Sequence, residues 1–146
     1  MANAWKGSSA SFGGSRIYEI QDATYAVSPN DSGTVFLLNS ALDIAVSLPA
    51  ISKLEPGFNV KFVLKSVVAS AKNFTITQGH ADDELVGHVR DGSADGTGDV
   101  ADAASNTKVQ FTATAPAGSF IDMICDDTSW YCFGAESTTA KLTFED

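Results

Sequence analysis

From Arg16 onward, apolar and polar residues alternate through most of the chain, and a two-residue period is the signature of strands with one face against a core. The run Leu42–Leu48 alternates cleanly, with Leu42, Ile44, Val46 and Leu48 on one face. Phe58–Lys65 does the same, placing Phe58, Val60, Phe62 and Leu64 inward and Asn59, Lys61 and Lys65 outward. Ile17–Ile20, Tyr25–Val27, Thr34–Leu38, Phe74–Gln78, Leu85–Val89, Val109–Ala113 and Lys141–Phe144 read as further strands. Between them lie turn signals. Ser28-Pro-Asn-Asp-Ser-Gly33 holds nearly every turn-forming residue type, Ile51–Leu54 suits one helical turn, and Gly79–Glu84 reads as the loop of a hairpin joining Phe74–Gln78 to Leu85–Val89.

The densest apolar and aromatic stretch is Gly118–Gly134. Two β-prone runs, Phe120–Cys125 and Trp130–Phe133, flank the polar tetrapeptide Asp126-Asp-Thr-Ser129, a loop length that suits a hairpin built on a type I turn. Large side chains fall on both faces of this hairpin. It is therefore expected to be buried on both sides or covered by a partner.

These elements predict an all-β protein, an antiparallel β-sandwich of jelly-roll type, with a barrel as the second architecture. Residues 17–146 form its single domain. Residues 1–16 are small, polar and rich in Gly and Ser, and read as a flexible N-terminal arm. Trp5 and Phe12 stand alone there, so the arm either docks on a neighbouring molecule through Trp5, Phe12 and Arg16 or is an unstructured end. Asp91–Asn106 reads as a long Gly/Asp/Ala loop with almost no apolar anchor.

Charge narrows the function classes. Eighteen acidic residues against nine basic ones give a formal net charge of −9, and no cluster of Lys and Arg suits a phosphate backbone, so nucleic acid is not an expected partner. A membrane is not expected either, because no run of about 18 apolar residues occurs. Met1–Ser8 lacks the apolar stretch of a secretory leader, which points to synthesis in a cytoplasm.

Candidate chemistry is sparse. Asp91, Ser93, Asp95, Gly96, Asp99 and Asp102 follow the spacing of a calcium loop, but Asp102 stands where a bidentate Glu belongs and no helical pattern flanks the loop, so a plain solvated acidic loop is the preferred reading. Cys125 and Cys132 face each other only in one of two hairpin registers, and two buried thiols are expected. His80 and His88 have no spacing to each other that makes a metal face, and no nucleophile motif accompanies them. The expectation is a protein with no catalytic residues, metal or cofactor. Trp130 and Tyr131 are either a partner-binding pair, such as a platform on which a sugar stacks, or core and subunit-interface rings.

Several of these stretches together resemble a known module. Lys108-Val-Gln-Phe-Thr-Ala, Ala117-Gly-Ser-Phe-Ile-Asp-Met-Ile and Asp126-Asp-Thr-Ser-Trp-Tyr, with Gly33-Thr-Val-Phe-Leu-Leu-Asn, Ile44-Ala-Val-Ser-Leu-Pro49 and Gly57-Phe-Asn-Val-Lys-Phe62 upstream, are similar to a module in structural proteins of tailed phages of marine and cyanobacterial hosts. The likeness spans most of Gly33 to Leu142. It departs at Asp127, where the pattern has Gly, and at Ser119, where it has Asp. The resemblance implies a virion component on the capsid surface: a decoration, or cement, protein that binds the major capsid protein as a homotrimer, or alternatively a carbohydrate- or receptor-binding module of a fibre.

Overall fold

The computed structural model describes residues 16–90, 92, 99–101, 106–138 and 141–146. The described residues form twelve strands: β1 (Arg16–Ile20), β2 (Thr24–Ala26), β3 (Thr34–Leu38), β4 (Ile44–Ser47), β5 (Asn59–Leu64), β6 (Phe74–Thr77), β7 (Glu84–Arg90), β8 (Asp99–Ala101), β9 (Lys108–Phe111), β10 (Phe120–Cys125), β11 (Ser129–Ala135) and β12 (Leu142–Glu145). They form two sheets. A 7-stranded sheet has the order β1-β3-β5-β10-β11-β7-β8, and a 5-stranded sheet the order β12-β9-β6-β4-β2. Among the described residues no helix is long and apolar enough to cross a membrane.

The sheets are mixed, which corrects the expected antiparallel arrangement. From β1 to β7, successive strands go to opposite sheets. A strand that leaves one sheet, crosses the core and returns two elements later comes back in its original direction. Parallel pairs β1·β3, β3·β5, β2·β4 and β4·β6 are the consequence. The expected hairpin between Phe74–Gln78 and Leu85–Val89 is likewise replaced by a crossing, because β6 belongs to the smaller sheet and β7 pairs in parallel with β11 in the larger. Gly79 permits that crossing: a Cβ there would lie 2.3 Å from the Ala50 nitrogen, a separation that only glycine avoids. The Asp83 carboxylate then accepts the Ile51 N–H at 3.2 Å and ties the connection to the turn Ile51–Lys53.

Two further expectations change. The segment Asp91–Asn106 is not wholly loop, since β8 pairs antiparallel with β7. The strand expected from Leu42 begins at Ile44, leaving Leu42 exposed, because Asp43 turns outward to accept the Asn73 N–H at 2.9 Å. By contrast, the reversal at Ser28–Gly33 is a short 3-10 turn closed by a capping box, in which Ser28 Oγ accepts from the Asn30 N–H and Asp31 Oδ2 from the Ser28 N–H.

The core lies between the sheets. Phe36 and Phe62 stack at 5.2 Å in the larger sheet, and Tyr25 reaches across from the smaller to within 5.3 Å of Phe36. Burial pushes the Tyr25 phenol up to about 12. Phe74 and Phe111 close the layer from the other side, fully enclosed like Phe36 and Phe62. At one end of β1·β3·β5, Glu19 accepts from Lys65 Nζ at 2.6 Å, Asn39 at 2.6 Å and Gln21 at 2.7 Å.

Two predictions follow from this packing. At Gly87 on β7, opposite Cys132, an added Cβ would lie 1.8 Å from the Cys132 carbonyl oxygen. Gly87→Ala is expected to cost about 3 kcal/mol or more in urea unfolding, since only a backbone shift relieves the clash. The Lys65 ammonium, with Asn39 and Gln21, lowers the Glu19 pKa from 4.5 to about 2. A lowered carboxylate pKa contributes stability that is fully present above 4.5 and lost as pH falls toward about 2. Glu19→Gln should lower stability at neutral pH and flatten its decline across that window, as read from unfolding midpoints at stepped pH.

Candidate interaction surface

The hairpin β10–β11 occupies the middle of the larger sheet, with β5 on one side and β7 on the other. Its register pairs Cys125 with Trp130 and Met123 with Cys132, so the two cysteines do not face each other. Both are free and buried. Desolvation pushes the Cys132 thiol up to about 12 and raises Cys125 as well.

Asp126 closes the turn of this hairpin. Its Oδ1 accepts the Thr128 N–H at 2.7 Å and the Ser129 N–H at 2.8 Å, while its Oδ2 accepts the Tyr131 hydroxyl at 2.9 Å. The two backbone donors, followed by the hydroxyls of Tyr131 and Thr128, hold its carboxyl down at about 2. The bond to Asp126 also raises the Tyr131 phenol.

Alternation within the hairpin separates its two faces. Ile121, Met123, Cys125, Trp130 and Cys132 point into the core, and Trp130, at 0 % exposure, meets Phe58 edge-on at 5.8 Å. Trp130 is therefore a core residue and not half of a surface platform, because an enclosed ring offers a partner nothing to stack on. Tyr131 lies on the opposite face with Phe133 and Ile124, which are 47 % and 43 % exposed.

Neighbouring strands extend that outer face. Their registers align Asn59, Ile124, Tyr131 and Val86 in one row, and Val35, Lys61, Asp122, Phe133 and His88 in the next. A third row runs through Leu37, Val63, Phe120 and Ala135. The Lys61 ammonium sits 3.3 Å from Asp122 Oδ2 and 4.1 Å from the Phe120 ring centroid, and His88 stands edge-on to Phe133 at 5.2 Å. A shallow depression lies among Val35, Lys61, Asp122, Ile124 and Phe133. No described element packs over this face.

The outer face of the smaller sheet is chemically different. Thr24, Ala26, Ala45, Ser47, Thr75, Thr77, Lys108, Gln110, Thr143 and Glu145 line it, and Thr75 bonds Gln110 across the β6·β9 pair at 3.1 Å. Short hydroxyl and amide side chains suit water. One sandwich thus carries a polar outer face and an apolar one.

Other expected site residues lie apart. Arg16 opens β1 and donates to the Asn30 carbonyl, while Trp5 and Phe12 fall outside the described residues. Of the calcium-loop positions, Asp91, Ser93, Asp95, Gly96 and Asp102 fall outside them too, and Asp99 opens β8. Among the described residues no group of three or more His, Cys, Asp or Glu side chains is placed to hold a metal. His80 sits in an exposed turn, its Nδ1 accepting the Asp82 N–H at 3.2 Å, whereas His88 lies on β7 at the outer sheet face. The surface on the larger sheet was not marked as a site by any sequence motif. Its signal was the placement of large residues on both parities of Phe120–Cys125 and Ser129–Ala135.

The Asp126 turn yields a test with two readouts. Asp126→Ala should lower the urea midpoint and return one tyrosine to the ordinary titration range in ultraviolet absorbance. Asp126→Asn, which keeps the oxygen that accepts both backbone donors, should retain most of the stability.

No family model, no curated protein and no solved structure matches the chain.

Proposed function

We propose that the protein is a structural virion component, a capsid decoration or cement protein that binds the outer surface of an assembled phage shell and stabilises it. The observation that carries this reading is the contrast between the two outer faces, of which only the larger sheet's is broad, apolar and uncovered by the described chain. Apolar surface spread over a flat sheet, instead of gathered into a cleft, matches another macromolecular surface better than a small substrate. The resemblance of Gly33–Leu142 to tailed-phage modules supplies the class of partner, the major capsid protein. The chain would act as a homotrimer, with Trp5, Phe12 and Arg16 contacting the shell or a neighbouring copy.

Stabilisation then works by linkage. A protein that binds the assembled lattice and not loose subunits lowers the free energy of the lattice, by about 2.7 kcal/mol per site when its free concentration is about 100 times Kd. No covalent step is required. The fibre reading, in which the module binds carbohydrate, relied on adjacent Trp130 and Tyr131 rings, and the enclosure of Trp130 removes one of them.

The test is co-sedimentation with empty shells of the phage that carries the coding sequence. The full chain should pellet with assembled shells, leave dissociated shell subunits in the supernatant, and raise the temperature at which shells disrupt. Removal of residues 1–16 should weaken binding by about tenfold or more, about 1.4 kcal/mol. Equal decoration by the shortened chain would contradict the role given to the arm, and no pelleting of the full chain would contradict shell binding itself.

A further inference from the structure

The outer face of the larger sheet presents Phe133, Ile124 and Tyr131 to solvent beside the half-buried Phe120, Val63 and Val35. Apolar residues gathered on one exposed face mark an interaction site, so its occupant is a question of chemistry. We infer that this face is covered by a second copy of the same chain. The inference goes beyond the proposed trimer, because two identical faces meet about a two-fold axis and close as a pair, and it does not require that a shell be the partner.

Charge is the first argument. A chain with a net charge of −9 repels its own copies over most of its surface. Across the middle of this face charges of both signs meet, Glu19 and Asp122 against Lys61 and Lys65, while the end at Tyr131 is acidic, with Asp126, Asp127 and Glu84 around it. Two of these pairs are already closed within the face, Lys61–Asp122 at 3.3 Å and Lys65–Glu19 at 2.6 Å. Two copies can therefore approach over this internally paired part of the face without bringing unpaired acids together.

Area is the second argument. Five inter-strand steps from β1 to β7 at about 4.8 Å, with strands about 20 Å long, give about 480 Å² of flat sheet. Two such faces together approach about 1,000 Å² before side-chain relief, which is where specific interfaces begin. The third argument is relief. The depression among Val35, Lys61, Asp122, Ile124 and Phe133 adjoins the exposed Phe133 and Ile124 rims, so one patch holds both raised and recessed apolar elements, as self-complementary packing requires.

The test uses the free full-length protein, so that loss of self-association and loss of shell binding are separate results. Sedimentation equilibrium should give an even multiple of the mass of the chain, two in the simplest case, and dissociation should weaken as salt rises from about 0.05 to 0.5 M, because screening reduces the repulsion between acidic copies. Phe133→Asp and Ile124→Lys should each raise the dissociation constant by about tenfold or more, with circular dichroism and melting of the separated chains confirming that they fold. Thr75→Asp, on the polar outer face, should leave the mass unchanged. A monomer at every concentration up to about 0.1 mM overturns the proposal. If removal of residues 1–15 then brings self-association, that segment is the occupant instead. An oligomer unaffected by Phe133→Asp and Ile124→Lys also overturns it.

Discussion

Apolar side chains from both sheets meet in one buried layer, and this chain fills that layer by sending successive strands to opposite sides of it. The parallel pairs, the mixed sheets and the tight crossing at Gly79 all follow from that route. Phe36, Phe62, Phe74 and Phe111 are enclosed because strands on both sides contribute to the same layer, with Tyr25 spanning it. The hairpin β10–β11 then joins the parallel set β1·β3·β5 to β7 and completes the larger sheet.

Once the inner faces are spent on the core, function is left to the outer ones. The smaller sheet turns threonine, serine and glutamine to solvent, and Thr75–Gln110 shows how such side chains pair across strands without a partner molecule. The larger sheet turns phenylalanine, tyrosine, isoleucine and valine outward, with Lys61 held over Phe120 and bonded to Asp122. A polar face needs nothing more than water. The apolar face gains free energy by leaving it, which ties the shape of the sandwich to assembly.

Much of this was legible in the residues. The inward set Phe58, Val60, Phe62 and Leu64 is buried as alternation predicts, and the turn chemistry at Ser28–Gly33 and Asp126–Ser129 closes where expected. Alternation reports which face a side chain occupies but is silent on which strand lies beside it. A crossing between sheets and a hairpin within one carry the same polar punctuation, and Gly79–Glu84 was read as the wrong one of the two for that reason. The cysteine register came with a turn closed by Asp126, whose short side chain accepts two backbone donors. Trp130 and Tyr131 are adjacent in the chain, yet a strand sends neighbours to opposite faces, so one became core and the other surface. The broad outer face was foreshadowed only by bulky residues at both parities of β10 and β11. Its continuity through Val35, Val63 and Val86 needed the strand order.

The difference between the two outer faces is the centre of this account, and carbene footprinting of the full-length protein at rising concentration measures it most directly. Ile124, Tyr131 and Phe133 should become protected as concentration rises while Thr24, Ser47 and Thr77 stay labelled throughout. Equal and concentration-independent labelling of both faces would contradict it.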